Sequence, residues 1–517
     1  MNQLLILTQK IYLALENGKD VNLAFLDISK AFDKVWHTGL LHKLKTFGIS
    51  GKLLDWLTSY LTERPQRVVF NGVNSEWILI EAGVPQGSTL GPLLFWIYAH
   101  DIIFDINSDI FLYADDTVLM RIVTDPVVDT TIMNSDLEQL NYWSKQWAVT
   151  FSPAKSEQLI ITRKVVREMY APLQMNGVDI NRVMQHSHLG VVFTENLSWE
   201  THIQSRIQKS APALNTLIRS SRFIPRAIKD TIYRSFIRPI LEYGCMIYDN
   251  CPMYVSNRLE KTQRSAALAC TGAYKDTSQV SLLKELGWPT MSKRREYYKL
   301  CQLYKIINNA CPQYVVDSFP LNKPDMPYQL RNADNLLVPR TRTSIFRKSF
   351  LPSTIRLWNL LDNTVRNCIS LSTFKIALKK VLFPSSNNLY SYGTGDAAVN
   401  LARMRMGLSA LNQHRWKYNY IPDASCPTCG NRQESIIHYF LDCPTYHAPR
   451  VYLLQSVTNV AGHILPDIYH LQTRRAKESL IYILLHGDVR LDVASSKALI
   501  DSVHQYITAT QRMTRRN

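Results

Sequence analysis

The chain has 517 residues, 46% apolar and 20% charged, which excludes wholesale disorder and allows two to four domains. Lys and Arg number 59 against 42 Asp and Glu, and unevenly so: residues 1–150 hold 11 basic and 17 acidic side chains, residues 151–517 hold 48 and 25. No apolar run reaches the roughly 18 residues of a membrane helix, the start lacks the basic leader of a secretory signal, and nine cysteines in so long a chain make no disulfide scaffold. A reducing intracellular setting, nucleus and cytoplasm, is expected, with no membrane partner.

Residues 1–17 carry a helical period, and Val21–Ile28 reads as a mostly buried strand that delivers Asp27 near its end. Two short helices are expected at Leu40–Phe47 and Leu53–Leu61. Gln66–Asn71 and Glu76–Glu81 alternate like a β-pair, with an Asn71-Gly72 turn between them. The glycine-rich stretch Gly83–Gly91 opens an apolar helix running to about Asp101. Ile110–Ala114 and Thr117–Ile122 read as strands of a tight hairpin whose turn is Asp115-Asp116. Ser135–Ala148 has a helical period, and Gln158–Thr162 is another strand. Beyond residue 200 the pattern becomes helical and rich in Arg, Lys and Tyr, as in Ile203–Ser220 and Arg226–Tyr243. Phe383–Gly395 has the Ser, Asn and Gly content of a linker. A Cys/His cluster follows at 426–443, and a last helical stretch leads to the basic end, Arg512–Arg516.

Three segments of the acidic third belong together chemically. A buried strand presents Asp27, the loop Gly83-Val84-Pro85-Gln86-Gly87-Ser88 lets backbone approach a ligand, and a hairpin tip carries Asp115 and Asp116. Strands that end in Asp are costly to bury unless cations neutralise the charge. Two hard cations on such carboxylates can clamp the attacking and leaving oxygens of an in-line phosphoryl displacement, and magnesium suits an all-oxygen site.

These segments resemble the palm motifs of reverse transcriptases, and the surrounding words are similar to those of non-LTR, LINE-type retrotransposons of the Jockey-like clades. The resembling stretches are LAFLDISKAFDKVWHTGLLHKL, GVPQGSTLGPLLFWIY, FLYADDTVL, FSPAKSEQLIIT and HLGVVFTENLSWETHI, in the family's order. The resemblance implies that Asp27 and Asp115 bind two magnesium ions, with manganese as a possible substitute, that Asp116 completes the pair, and that the Ile28 carbonyl is a further ligand. It implies that the Phe32 ring excludes a ribose 2′-OH, the alternative being an ordinary core aromatic. Gln86 and Gly87 would line the deoxynucleotide pocket, while Asp33, six residues past Asp27, is expected to be supporting or structural. Lys155 would protonate the departing pyrophosphate, the alternative being a solvated lysine, and the family usually has Asn where this chain has Ser152. His188–Trp199 resembles the hairpin that holds the primer 3′ end.

The basic remainder suggests a grip on a polyanion, against the plainer alternative of a soluble surface. Basic residues interleaved with Tyr and Trp on helices can track a phosphate backbone, and RPILEYG and RLWNLLDNTVRNCISLSTFK are family-like phrases. Any single Arg or Tyr there is as readily a packing residue, so the region and no one residue is assigned to nucleic acid. Cys426, Cys429, His438 and Cys443 have the spacing of a structural zinc site, Cys-X2-Cys-X8-His-X4-Cys. His447 is an alternative to His438.

The expected fold is an α/β palm of the polymerase right-hand type, an antiparallel sheet with packed helices, over residues 1–200. A helical thumb and connector at 201–385 and a small zinc-knuckle-like C-terminal module at 396–517 would follow. Complete LINE-type polymerases place fingers and often an endonuclease before the palm. The 26 residues ahead of Asp27 hold neither, so an N-terminally truncated polymerase is expected. The expected activity is RNA-directed DNA polymerisation from an RNA template, a DNA primer or target and deoxynucleotide triphosphates. The alternative is a catalytically inactive remnant that only binds nucleic acid.

Overall fold

A computed structural model describes all residues except 166–168, 222, 322–334, 384–389, 391, 394, 465–470 and 514–517. Most of the expected linker at 383–395, and Thr514–Arg516 of the basic end, lie outside the described residues. The chain divides into two compact units, one of residues 1–202, 246–251 and 309–356, the other of 203–245, 252–308 and 357–517. This differs from a linear division at 200 and 385. Two later segments return to the first unit, and the C-terminal region shares the second with helices that precede it.

The first unit runs α1 (Asn2–Glu16), β1 (Asp20–Leu26), α2 (His37–Thr46), α3 (Gly51–Leu61), β2 (Arg64–Gln66), β3 (Val69–Phe70), β4 (Val73–Asn74) and β5 (Ile78–Ile80). It continues through α4 (Gly91–Ala99), β6 (Asp109–Tyr113), β7 (Asp116–Val123), α5 (Pro126–Gln146) and β8 (Glu157–Ile161). The short strands β9 (Gln174–Met175), β10 (Val178–Asp179), β11 (Asn181–Arg182), β12 (Gln185–His188) and β13 (Val191–Thr194) close it.

A five-stranded sheet, ordered β11-β8-β1-β7-β6, carries the site. β1 lies at its centre with all seven residues buried, as expected of a strand apolar on both faces. It pairs antiparallel with β7 (Ala24 with Leu119, Leu26 with Thr117) and with β8 (Phe25 with Glu157). The edge strand β11 pairs parallel to β8, because the β9–β10 hairpin intervenes, so the sheet is mixed where a wholly antiparallel one was expected. Ala24, Leu26 and Leu119 face a core built with Leu40 and Leu44 of α2, Leu94 and Phe95 of α4, and Leu137 and Leu140 of α5. The alternation along β1 therefore sends Phe25 and Asp27 to the other face.

α5 begins nine residues earlier than its period suggested. Asp125 accepts from the Val127 and Val128 amides, and Pro126 occupies the first turn. An Asp-Pro start outweighs the weak apolar period of the first turns.

The second unit is helical among its described residues. Arg226–Glu242 is one continuous rod with a π-helical stretch at Tyr233–Ile237, where the backbone widens ahead of Pro239, which has no amide to donate. Its C-terminal core gathers Tyr439, Phe440, Leu453, Leu484, Leu499, Val503 and Tyr506. The region is therefore a helical core that includes the Cys/His cluster, larger than the small module expected. Several arginines of the basic region are structural. Arg226 and Arg405 both bond the buried Glu285 carboxylate, at 2.7 and 2.6 Å. Arg294 and Tyr298 bond the buried Glu242, with Arg238 of RPILEYG 3.9 Å away. A buried carboxylate left without its guanidinium costs several kcal/mol, about 3–5, so these side chains are committed to packing.

Candidate active site and metal centre

The register of the sheet assembles the carboxylates. Leu26 is opposite Thr117, and Tyr113 is opposite Asp116, so Asp27, the next residue on the central strand, comes level with Asp116. The hairpin turn is Ala114-Asp115, one residue earlier than expected, since Asp116 already belongs to β7. Ala114 adopts φ 53°, a left-handed conformation that costs an alanine about 1–2 kcal/mol and is retained by the two-residue turn.

Crowding is visible in the electrostatics. Partial desolvation, then Asp115 and Asp27, hold the Asp116 carboxyl above its ordinary range, while His186 works the other way. One oxygen of Asp27, Oδ2, is buried and accepts no hydrogen bond. It lies 3.7 Å from Lys155 Nζ, a side chain 71% exposed. Three converging carboxylates with an unsatisfied oxygen are a poor arrangement for an empty protein and a good one for hard divalent cations.

The backbone around Asp27 is held from the β8 side. The Ser152 amide donates to the Asp27 carbonyl at 2.9 Å, and the Ser29 amide to the Thr150 carbonyl at 2.8 Å. Ile28 sits between these bonds in a bridge with Phe151. In an antiparallel ladder this position points its own N–H and C=O away from the bridged partner, here toward β7. The Ile28 carbonyl is thus aimed to the side where the hairpin tip lies.

The glycine-rich loop adjoins the same end of the sheet. The Gly83 and Val84 amides donate to the Val35 and Phe32 carbonyls, both at 2.8 Å. Gly83 has φ 97°, and a Cβ there would stand 2.8 Å from the Asp33 carbonyl oxygen, so no other residue fits. Phe32 is half-buried, its ring stacked on Phe95 at 4.8 Å. Gln86 and Gly87 are exposed, and Gln86 Nε2 donates to Asp33 Oδ1 at 2.9 Å. Asp33 thus holds the Gln86 amide, a contact that the sequence did not suggest.

Residues missed in the sequence complete the surroundings. The Asp27 amide donates to the fully buried Ser156 hydroxyl at 3.4 Å. The β12–β13 hairpin, turning at Leu189-Gly190, lays His186 on the Phe25 ring at 3.8 Å. His186 Nδ1 lies 2.6 Å from Glu157 Oε2. The alternation His186-Ser187-His188 was the available signal, since both rings meet Phe25 on one face. Burial, and then the neighbouring His186, push His188 down to about 4. Trp199, past the hairpin, donates to the Tyr12 hydroxyl at 3.0 Å and to Asn250 Oδ1 at 2.8 Å.

In the second unit, one ligand atom each from Cys426, Cys429, His438 and Cys443 lie within 4.8 Å of one another. Cys426 and Cys443 Sγ are 4.0 Å apart, and Cys429 Sγ lies 3.3 Å from His438 Nε2. A tetrahedral zinc with bonds of about 2.3 Å to sulfur and 2.0 Å to nitrogen requires separations of this size. Gly430, at φ 74°, closes the knuckle by donating to the Cys426 carbonyl at 2.9 Å. His447 is exposed at the start of the following helix and is not part of the cluster. Among the described residues the nine cysteines form no disulfide, and no helix is long and apolar enough to cross a membrane.

Residues 3–193 match the family described as reverse transcriptase (RNA-dependent DNA polymerase). The chain is similar to the RNA-directed DNA polymerase from mobile element jockey of Drosophila melanogaster, 28% identical over 271 residues, which are 50% of this chain and 29% of that protein. It is likewise 28% identical over 305 residues to the probable RNA-directed DNA polymerase from transposon X-element of the same organism, 56% of this chain and 33% of that protein. The chain thus spans about a third of the length of these curated relatives.

Proposed function

We propose that this chain carries out RNA-directed DNA synthesis for a non-LTR retrotransposon, a reading supported by the match of residues 3–193 to the reverse transcriptase family and by the similarity to the polymerase of mobile element jockey. The observation that carries the proposal is the register that sets Asp27 level with Asp116, with Asp27 Oδ2 buried and unbonded. In this reading Asp27, Asp115, Asp116 and the Ile28 carbonyl hold two magnesium ions. When bound, the ions lower the cost of forming the attacking primer 3′-oxygen and neutralise the charge that grows on the departing pyrophosphate.

The chain's own residues then position and select. Phe32, braced by Phe95, stands where a ribose 2′-OH would collide. Gln86, tethered to Asp33, and Gly87 line the pocket for the incoming deoxynucleotide. Lys155, 3.7 Å from Asp27 and otherwise exposed, is free to swing toward a triphosphate and give a proton to the leaving group. The β12–β13 hairpin, seated on Phe25, supports the primer end above the sheet. Residues 201–385 act as thumb and connector, the solvent-facing cations among them contacting the template–primer duplex. Cys426, Cys429, His438 and Cys443 hold a zinc ion whose closed coordination staples the C-terminal core.

Primer extension on an RNA template with magnesium, comparing wild type with Asp115→Ala, tests the proposal. Template-dependent incorporation by the wild type alone supports it. Equal incorporation by both proteins, or none by either, overturns it, and the second result leaves a nucleic-acid-binding remnant.

A further inference from the structure

A groove of about 730 Å³ opens in the second unit where the segment after helix Met253–Thr271 meets helix Gly395–Arg405 and the stretch that leads to the cysteine cluster. Its walls include Tyr274, Lys275, Arg403, Arg415, Tyr420 and Arg512. Two of the cations are fixed in place. Arg403 donates through Nε and Nη2 to the Gly272 carbonyl, at 2.9 and 2.6 Å, and lies 4.2 Å over the Tyr274 ring. Arg512 donates twice to the buried Glu434 carboxylate, both bonds at 2.6 Å, and to Asn412 Oδ1 at 3.2 Å. The other two stand ready for a ligand. Lys275 is exposed, and Arg415 borders solvent beside Tyr420, whose amide donates to the Arg415 carbonyl at 2.9 Å.

The charges do not cancel within the groove. Four cations line it against a single acid, Asp276, and Glu434 balances Arg512 alone. The lining has an aromatic face at solvent: Tyr420 is 47% exposed. A planar ring at solvent next to guanidinium and ammonium groups matches a chain that alternates phosphates with stacking faces. A duplex keeps its base faces stacked inside, and an acidic peptide offers no ring to stack. We infer that this groove binds single-stranded nucleic acid, with a base on Tyr420 and phosphates at Lys275 and Arg415. The inference rests on the reading that the basic second unit contacts nucleic acid, and it locates one site within it.

The test measures fluorescence anisotropy of the full chain with labelled oligouridylate and with oligothymidylate, across a range of salt. Arg415→Glu combined with Tyr420→Ala is expected to weaken binding by about tenfold or more, and to reduce the salt slope by about one. Zinc content should stay at the wild-type value. Tyr420→Phe, which keeps the ring, should bind like wild type. If the double variant loses zinc, Arg415→Gln alone carries the test by the same salt-slope criterion. The ratio of the two oligonucleotide affinities identifies the natural strand as RNA or DNA, and either supports the groove. Wild-type binding with an unchanged double variant overturns the groove and leaves the broader reading intact. A wild type that binds neither oligonucleotide overturns the broader reading and the groove together. Polyglutamate competing as well as oligouridylate would make the occupant an acidic peptide and overturn the assignment.

Discussion

The hairpin tip of the first unit and the cysteine cluster of the second are both sets of side chains that could hold a metal, and they are built in opposite ways. At the tip, Asp116 is exposed, Asp115 is partly open and Asp27 leaves one oxygen without a hydrogen bond. Like charges push the Asp116 carboxyl up after desolvation has begun to do so. In the cluster, four donors already stand at the spacing of a closed tetrahedron, and Cys426 and Cys443 belong to the hydrophobic core. An open set keeps coordination positions for substrate oxygens; a closed set spends every position on the protein. The same contrast appears within the first unit. Asp129 is buried and fully engaged by the Thr124 and Asp125 amides, the Thr124 hydroxyl and Arg121, whereas Asp27 keeps a buried oxygen without a hydrogen bond, faced by Lys155 at 3.7 Å.

The difference can be broken by substitution. Asp115→Ala should lower primer extension by about a thousandfold or more, the scale of losing a principal electrostatic group at a reacting centre, while thermal stability holds or rises as a like charge leaves the tip. A large fall in melting temperature would mean that the tip is structural after all. Cys426→Ser should abolish stoichiometric zinc and destabilise the C-terminal helices by several kcal/mol; zinc content equal to wild type refutes the ligand assignment. Phe32→Val should raise ribonucleotide incorporation by up to about a hundredfold in competition assays. Unchanged discrimination would return Phe32 to the core aromatics, alongside Phe95.

The smallest effect expected concerns Asp129. Although burial opposes it, the hydrogen bonds from the Asp125 and Thr124 amides and from Arg121 bring its carboxyl down to about 2. A depressed folded value stabilises above the ordinary value of 3.8 and is lost as pH falls through the folded one. Asp129→Asn should therefore cost about 2 kcal/mol at neutral pH. In denaturant titrations the gap from wild type should narrow between about pH 4 and pH 2. A gap independent of pH would sink this account of the residue.

Much of the first unit was legible before any coordinates. The central strand, the hairpin and the helix after Gly91 follow from apolar runs and turn residues that act locally. The errors have local causes of another kind. Ala114 gives no turn signal, so the sequence points to a turn one residue late, and the first turns of α5 have too little apolar period to mark its start. Ser156 and His186 lie 129 and 159 positions from Asp27 in the chain, and no pattern of spacing links them to it. The arginines of the second unit were undecidable one by one, since a guanidinium on a buried Glu285 and one facing solvent read alike in sequence.

What the amino-acid order determined by itself is the inventory: which carboxylates, glycines and cysteines exist, and on what kind of element each sits. Short-range periodicity and turn chemistry are enough for that. Only the tertiary structure decided which groups share a face, which charges are cancelled, and which remain turned to solvent. Strand register and burial join residues far apart in the chain, and the cost of leaving a buried charge unpaired separates arginines that hold the fold, such as Arg226 and Arg512, from one such as Arg415 that borders solvent.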